Sequence, residues 1–161
     1  MGFFKGLFGK KKDVVYAPVA GEAVPLNQVS DPTFGEEMLG KGIAIRPIGN
    51  SIVAPCDGVV DMMFDTGHAV TLVADFGAEI LIHVGLDTVN LKGEHFKILA
   101  KAGDTVKKGD LLIEFDREAI AAAGYDVITP VVICNTDKYP TFETHTGAAV
   151  AAGDAVIELA E

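Results

Sequence analysis

The spacing of turn-forming residues is the feature that most restricts the fold of this chain. From residue 14 onward, short apolar runs are separated by Gly, Pro, Asp and Asn. Short strands at such regular intervals are typical of an antiparallel sandwich or barrel. The pattern predicts strands at Val14–Tyr16, Gly21–Pro25, Gly42–Pro47, Ser51–Ala54, Gly58–Met63, Ala69–Ala74, Glu79–Val84, Leu111–Phe115, Val127–Ile133 and Ala155–Leu159.

Helical patterns are few. The alanine-rich segment Arg117–Ala123 is predicted to be a helix that Asp116 caps and Gly124 ends. Short helical turns are expected at Pro32–Leu39 and at His95–Ala100. The sequence therefore predicts an all-β domain with a few short helical turns.

Two pairs of segments indicate an internal duplication. The segments "APVAGEAV" and "APCDGVV" are similar, and so are "AGDTVKKGDLLIEF" and "TGAAVAAGDAVIEL". Paired hairpins of this kind occur in barrel-sandwich folds, which include biotin and lipoyl carriers. Those carriers need a lysine at the hairpin tip, and neither "CDGV" nor "AGEA" supplies one. We therefore expect an antiparallel β-sandwich or barrel-sandwich that does not carry a swinging arm.

The charge is distributed unevenly along the 161 residues. The net charge is −10, but residues 1–12 contain four lysines and no acid, so residues 13–161 carry −14. An acidic body argues against nucleic-acid binding, because a basic face supplies most of that affinity. It is compatible with a basic protein partner.

The amino-terminal residues 1–13 form a basic tail, and residues 14–161 are expected to form one domain. The tail places apolar side chains on one helical face, flanked by lysines: Phe3, Phe4, Leu7 and Phe8. Two interpretations stay open. The tail is either an amphipathic segment that contacts an anionic membrane surface, or a frayed end whose phenylalanines cover the domain.

No apolar run in the sequence is long enough to span a membrane, and no cleavable signal is visible. Cys56 and Cys134 lie in apolar, strand-like contexts and are predicted to be buried free thiols. The expected location is the cytoplasm, with peripheral attachment at the inner face of the membrane if the tail binds lipid.

The segment from Asp65 to Gly85 contains two histidines on the arms of one predicted hairpin. A two-residue loop would place His68 and His83 on one face, directly opposite or diagonal to each other. A three-residue loop would place them on opposite faces. The inference that the two imidazoles meet is therefore conditional on the loop.

Three kinds of site fit two neighbouring imidazoles. They can be structural side chains with ordinary hydrogen bonds. They can be zinc ligands, with Asp65 or Asp87 as a third ligand. They can also be reactive, because a neutral imidazole nitrogen accepts a phosphoryl group while a second imidazole stabilises the phosphoryl oxygens.

Several motifs together resemble one family over residues 14–161. They are "GKGIAIRPIGNSIVAPCDGVV", "FDTGHAVTL", "GAEILIHVGLDTVNLKGEHF", "GDTVKKGDLLIEFD", "TPVVICN" and "GAAVAAGDAVIEL". They closely resemble the glucose-type IIA proteins of the bacterial sugar phosphotransferase system. The resemblance implies a β-sandwich phosphocarrier that accepts phosphate from the histidine phosphocarrier protein HPr and passes it to a cysteine of a sugar-specific IIB domain. It implies no required cofactor.

The same resemblance assigns roles to individual residues. His83 matches the phosphorylated histidine, and His68 matches the neighbour that contacts the phosphoryl group. Thr66 matches the threonine that orients this second imidazole, and Asp87 matches an acid at the rim. The family's apolar ring for docking partners matches Phe34, Met38, Leu39, Phe64, Leu81 and Val89.

The resemblance also implies regulatory partners, since enteric relatives act on sugar permeases and glycerol kinase. In one such complex the two histidines share a zinc ion with a partner's carboxylate, which makes zinc at a partner interface an expectation for His68 and His83. The alternatives are a zinc-dependent hydrolase and a purely regulatory binding module. His95 and His145 are expected to be structural or solvated.

Overall fold

The computed structural model describes residues 12–161, so the predictions for residues 1–11 of the tail lie outside the described residues. The strands are Asp13–Tyr16 (β1), Gly21–Pro25 (β2), Lys41–Pro47 (β3), Ser51–Val53 (β4), Gly58–Met63 (β5), Ala69–Ala74 (β6), Glu79–His83 (β7), Phe96–Ile98 (β8), Thr105–Val106 (β9), Leu111–Phe115 (β10), Thr129–Ile133 (β11), Thr141–Thr144 (β12), Ala148–Val150 (β13) and Ala155–Ala160 (β14). The helices are Pro32–Gly35 (α1) and Arg117–Ala122 (α2), with 3₁₀ turns at Leu26–Gln28, Thr88–Leu91 and Thr136–Lys138.

Three antiparallel sheets build the sandwich. The largest has eight strands in the order β13-β2-β3-β11-β7-β6-β5-β9. Two three-stranded sheets have the orders β1-β14-β12 and β4-β10-β8. The main core combines buried side chains from all three sheets, such as Ile82, Ile113 and Ile157. The all-β sandwich predicted from the turn spacing is confirmed.

A second apolar cluster covers the opposite face of the large sheet. Successive residues of a strand point to opposite faces, so Ile80 and Ile82 join the main core while Leu81 joins the second cluster. Its other members include Phe34 of α1 and Ala69 at the start of β6. This second cluster forms the floor on which the two hairpin histidines lie.

The internal duplication has a structural counterpart. Strand β10 pairs with β4 and β9 pairs with β5, just as β14 pairs with β1 and β13 pairs with β2. The backbone carbonyls of Asp110 and Asp154 accept equivalent hydrogen bonds, from the N–H of Ala54 at 2.8 Å and of Ala17 at 2.7 Å. Both aspartate carboxylates also accept from a backbone N–H three residues earlier, at 2.8 Å. The sequence repeat is therefore a repeat of hairpins.

Some local predictions are wrong. Phe96–Ile98, expected within a helical turn at His95–Ala100, is strand β8, because it pairs with β10 far along the chain. The short strands β9, β12 and β13 were not predicted. The helix α2 is confirmed, with the Asp116 carboxylate accepting from Ala119 N at 3.0 Å. Within residues 12–161 no helix is long and apolar enough to cross a membrane.

The two cysteines differ in exposure. Cys56 is buried, as predicted, whereas Cys134 is exposed, so the prediction of two buried thiols is wrong for Cys134. Cys134 lies one residue past the end of β11, where its N–H still pairs with the Glu79 carbonyl at 2.7 Å. Backbone pairing thus continues for one residue beyond the buried part of β11.

Candidate phosphotransfer site

The rings of His68 and His83 lie side by side at one end of the β6–β7 hairpin. Their centroids are 5.0 Å apart and the rings are nearly perpendicular, at 82°. His83 is the last residue of β7, and His68 lies in the turn that precedes β6. The structure therefore brings together the two imidazoles that the sequence singled out.

The loop between the two arms has three residues, because Ala74 N donates to Ala78 O at 2.9 Å and Ala69 pairs with His83. The expectation that a three-residue loop separates the histidines is wrong. It assumed regular alternation, but His68 lies outside β6. The adjacent Gly67 has φ +72°, which turns the backbone and brings the His68 ring to the side of His83.

The tautomer of His83 follows from one hydrogen bond. Its Nδ1 lies 2.6 Å from the carbonyl oxygen of Gly85. A carbonyl oxygen can only accept, so Nδ1 carries the proton and donates. In the neutral ring the lone pair is therefore on Nε2. The nucleophilic atom of His83 is thus Nε2.

The orientation of His68 is fixed by Thr66. The hydroxyl of Thr66 is hydrogen-bonded to Nδ1 of His68, as the resemblance implied for this threonine. This bond occupies Nδ1 and leaves Nε2 of His68 as the ring nitrogen for a further partner. The His68 residue is 3 % exposed, so its surroundings limit the movement of the ring.

Both imidazoles are neutral near pH 7. Burial, together with the smaller effect of the charge of a protonated His83, lowers the pKa of His68 from 6.5 to about 4. Burial also lowers the pKa of His83, while the bond to Gly85 and the charges of Asp31 and Asp87 oppose this shift. Two uncharged imidazoles at this separation suit nucleophilic attack by one and hydrogen bonding by the other.

Asp31 is a site residue that the sequence analysis missed. It caps α1, its carboxylate accepting from Thr33 N at 3.0 Å, and the sequence "DPTF" is a helix-start pattern that predicts this cap alone. Asp87 adopts a left-handed conformation with φ +59° at the start of the Thr88–Leu91 turn. The charges of the two carboxylates act on the same imidazole from different parts of the chain, which no local pattern reveals.

The apolar residues predicted to dock partners fall into two groups. Phe34 and Phe64 contact the histidines, with ring centroids 5.0 Å from His83 and 5.3 Å from His68 respectively. Phe34 and Leu81 are buried in the second cluster, and Phe64 packs against it. The three exposed residues are Met38 at 70 %, Leu39 at 40 % and Val89 at 49 %.

Comparison with known proteins decides the family. The profile of the EIIA 1 family of the phosphoenolpyruvate-dependent sugar phosphotransferase system matches residues 13–139. This chain belongs to that family.

Relatives agree along almost the whole chain. The glucose-specific EIIA component of Haemophilus influenzae is 42 % identical over 164 residues, covering 99 % of both proteins. The beta-glucoside-specific EIIBCA component of Dickeya chrysanthemi is 46 % identical over 92 % of this chain and 24 % of its own length. The solved structure of glucose permease IIA from Mycoplasma capricolum superposes with a TM-score of 0.87, at 35 % identity over 92 % of this chain and 96 % of that one.

As a IIA component, the protein is a phosphotransferase component that carries phosphoryl groups between proteins of a sugar phosphotransferase system. Its exchange partners within that system are HPr and a IIB domain.

The IIA domain contains no group of three or more His, Cys, Asp or Glu side chains arranged for a metal ion within residues 12–161. Asp65 and Asp87 therefore do not complete a three-ligand site with the two histidines.

The other two histidines, His95 and His145, lie away from this site. His95, in a turn with φ +75°, is half-buried with Nε2 3.7 Å from Glu94. His145 pairs with Glu158 at 2.5 Å on the surface.

Proposed function

We propose that Nε2 of His83 receives the phosphoryl group from phospho-HPr and passes it to the IIB domain of a glucose-type sugar permease. The observation that carries this proposal is the hydrogen bond from His83 Nδ1 to the Gly85 carbonyl. It holds the ring in the tautomer whose Nε2 lone pair can attack phosphorus.

The two transfers balance without any other reactant. The Nε2 lone pair forms a bond to phosphorus as the P–N bond of phospho-HPr breaks and its electron pair returns to the HPr imidazole. In the second transfer, a IIB thiolate attacks the phosphorus and the electron pair of the P–N bond returns to Nε2 of His83. Positioning in line is the main requirement of both steps.

We assign to His68 the stabilisation of the phosphoryl oxygens. The hydroxyl of Thr66, hydrogen-bonded to Nδ1 of His68, favours the tautomer with a proton on Nε2 when the hydroxyl donates. That N–H then donates to an oxygen of the phosphoryl group on His83. The 5.0 Å between the two ring centroids supports this assignment. A fixed donor of this kind stabilises the developing charge of the transition state.

Apolar and acidic residues around the histidines favour docking of HPr and IIB on the same face. Phe34 and Phe64 cover the imidazoles, and this limits access of water to the labile P–N bond. We propose that the exposed Met38, Leu39 and Val89 extend this contact surface, while Leu81 supports it from below. The site aspartates match a partner with a basic face.

The decisive test is phosphorylation of the full chain with phosphoenolpyruvate, enzyme I and HPr. We expect a mass gain of one phosphoryl group that is lost in mild acid, and no gain in His83→Gln. Acid-labile phosphate on His83→Gln would refute the assignment. Chelator-sensitive hydrolysis of peptides would instead support the hydrolase alternative, for which residues 12–161 offer no third metal ligand.

A zinc ion at a partner interface is a further proposal. The two imidazoles are neutral and adjacent, which suits zinc coordination. They would supply two ligands, and a carboxylate of the partner would complete the set. A bound zinc ion would link the two proteins. Phosphoryl transfer does not require zinc.

The remaining assignments are also proposals. We infer a glucose-type sugar because two relatives of this chain are glucose-specific and beta-glucoside-specific components. We propose a cytoplasmic location, in keeping with the free thiols of Cys56 and Cys134. We also propose regulatory binding to permeases or glycerol kinase, which the family resemblance implies. The attachment of the amino-terminal tail to anionic lipid is proposed from the sequence pattern of the tail alone.

A further inference from the structure

The carbonyl of Gly85 must be held in place if it is to fix the ring of His83. It belongs to the peptide plane between Gly85 and Leu86, and the N–H of that plane donates to the Asp126 carbonyl at 2.9 Å. The N–H and C=O of a trans peptide point in opposite directions. The Asp126 carbonyl therefore binds the N–H at one edge of this peptide group, and the His83 ring binds the C=O at the opposite edge. The orientation of the plane therefore depends on the loop at Asp126.

The preceding peptide plane is held as firmly. Its N–H, on Gly85, donates to the Ile128 carbonyl at 3.1 Å. Its carbonyl, on Val84, accepts from the hydroxyl of Thr88 at 2.6 Å. Both polar groups of this plane are thus paired, one with the Asp126–Ile128 loop and one with a side chain.

Thr88 is built into the loop on two sides. The residue is completely buried, at 0 % exposure, and a buried hydroxyl is tolerated only when it is hydrogen-bonded. Its Cγ2 lies against Gly85, since a Cβ added there would be 2.6 Å from that methyl carbon. Gly85 has φ +77°, a conformation that glycine adopts without strain. Thr88 therefore packs against Gly85 with its methyl group and donates a hydrogen bond to the Val84 carbonyl with its hydroxyl.

The Asp126–Ile128 loop has its own internal brace. The carboxylate of Asp126 accepts from the N–H of Ile128 at 2.9 Å. The same short loop supplies both backbone carbonyls that bind Gly85 and Leu86. Removal of the Asp126 carboxylate should therefore alter the position of the Gly85 carbonyl, because backbone hydrogen bonds connect the loop to Gly85 and Leu86.

We propose that Thr88 is a positioning residue for phosphoryl transfer: with the Asp126–Ile128 loop, it sets the Gly85 carbonyl so that the His83 ring keeps its proton on Nδ1 and its lone pair on Nε2. This inference rests on the proposed role of His83. Thr88 touches neither the phosphoryl group nor a partner in this scheme, and it acts through Val84 and Gly85.

The test compares Thr88→Val, which removes the hydroxyl and keeps the shape, with Thr88→Ser, which keeps the hydroxyl. The control is Thr136→Val, because the Thr136 hydroxyl also donates to a backbone carbonyl, that of Ile133 at 2.5 Å, and in addition accepts from Lys41 N at 3.0 Å. The measurement is long-range proton–nitrogen NMR of the histidine rings in the full, unphosphorylated chain near pH 7.5. It reports which ring nitrogen of His83 carries the proton.

In the wild type we expect Nδ1 of His83 to be protonated and Nε2 to be bare. In Thr88→Val the two nitrogen shifts should converge, as both tautomers become populated, and the initial rate of phosphorylation by phospho-HPr should fall about 10- to 100-fold. Thr88→Ser and Thr136→Val should keep the wild-type tautomer and rate. A wild-type His83 spectrum in folded Thr88→Val would overturn the proposal.

If Thr88→Val does not fold, Asp126→Ala takes its place, because it removes the brace of the same loop. It should shift the His83 nitrogens in the same direction, and an unchanged spectrum would overturn the proposal. The NMR measurement needs no phosphoryl transfer. Failure of the proposed function, seen as no phosphate on His83 of the wild type, is therefore distinct from failure of the role of Thr88.

Discussion

His68 and His83 meet edge to face with 5.0 Å between ring centroids, and each Nδ1 is bound to a different group of its own turn. His83 Nδ1 donates to Gly85, and His68 Nδ1 is hydrogen-bonded to Thr66. The two Nε2 atoms are therefore the ring nitrogens left for chemistry. This relationship separates the two roles, since one Nε2 is a bare nucleophile and the other is suited to donate.

Replacing His83 by glutamine should abolish acceptance of phosphate from phospho-HPr, because the amide has no nucleophilic lone pair equivalent to Nε2. Incorporation of phosphate is measured by intact mass. The control is His145→Gln, which changes a surface histidine paired with Glu158 and should be phosphorylated at the wild-type rate. Equal loss in both variants would point to a general effect of histidine replacement and contradict the assignment.

Replacing His68 by glutamine should still allow His83 to accept phosphate, because the attacking Nε2 is unchanged, but should slow the transfer of phosphate to IIB. Loss of one fixed donor to the transition state lowers a rate about 10²- to 10³-fold. The measurement is single-turnover decay of the purified phosphoprotein after addition of IIB. Thr66→Val should show a smaller defect of the same kind, because it frees the His68 ring without removing it. A defect confined to acceptance would contradict this division of roles.

Stability should fall with decreasing pH in a window set by His68. In the unfolded chain its pKa is 6.5, whereas burial lowers the pKa to about 4 in the folded protein. Between these values the unfolded state binds more protons, so stability is full above about pH 6.5 and is lost as pH falls toward 4. The contribution is on the order of 3 kcal/mol.

This pH effect is measured by urea unfolding at pH 7.5 and pH 4.5. The carboxylates contribute to acid sensitivity in every variant, so the relevant quantity is the difference between proteins. His68→Gln should lose less stability on acidification than the wild type, because glutamine does not titrate. The variant His145→Gln, altered at an exposed position, serves as the control. An identical loss in wild type and His68→Gln would show that His68 is not protonated on unfolding.

The Gly67 turn should be sensitive to a single added methyl group. Gly67 and Gly103 both have positive φ, +72° and +92°, so alanine is strained at both. At Gly67 the new Cβ would also lie 3.1 Å from Phe96 Cβ and from Ile98 Cγ1, whereas at Gly103 nothing lies within 4 Å. Gly67→Ala should therefore be the more destabilising by about 1 kcal/mol or more, and only Gly67→Ala should slow transfer to IIB. Equal effects on unfolding and transfer would show that packing against β8 does not position His68.

The sequence predicted the strands that carry the histidines but not the way in which they meet. Alternation along β6 and β7 is a local property, so the sequence predicts the two strands themselves, Ala69–Ala74 and Glu79–His83. The position of His68 depends on a turn that packs on β8, a strand whose partner β10 is distant in sequence. The contribution of Asp31 depends on the place of α1 beside His83. Such long-range placements leave no pattern in adjacent residues, and the family resemblance supplied the pairing instead.

Replacing both Asp31 and Asp87 by asparagine should weaken capture of phospho-HPr while leaving the attacking atom in place. Their charges act on His83, so the same charges attract a basic partner as it approaches. Asparagine still caps a helix, so α1 should persist. We expect the apparent KM for phospho-HPr to rise several-fold at low salt, and the difference from wild type to shrink as salt screens both. The control is Glu118→Gln on α2, which removes one exposed charge and should leave the KM unchanged. A salt-independent fall in the maximal rate would contradict steering and assign the two carboxylates to the chemical step.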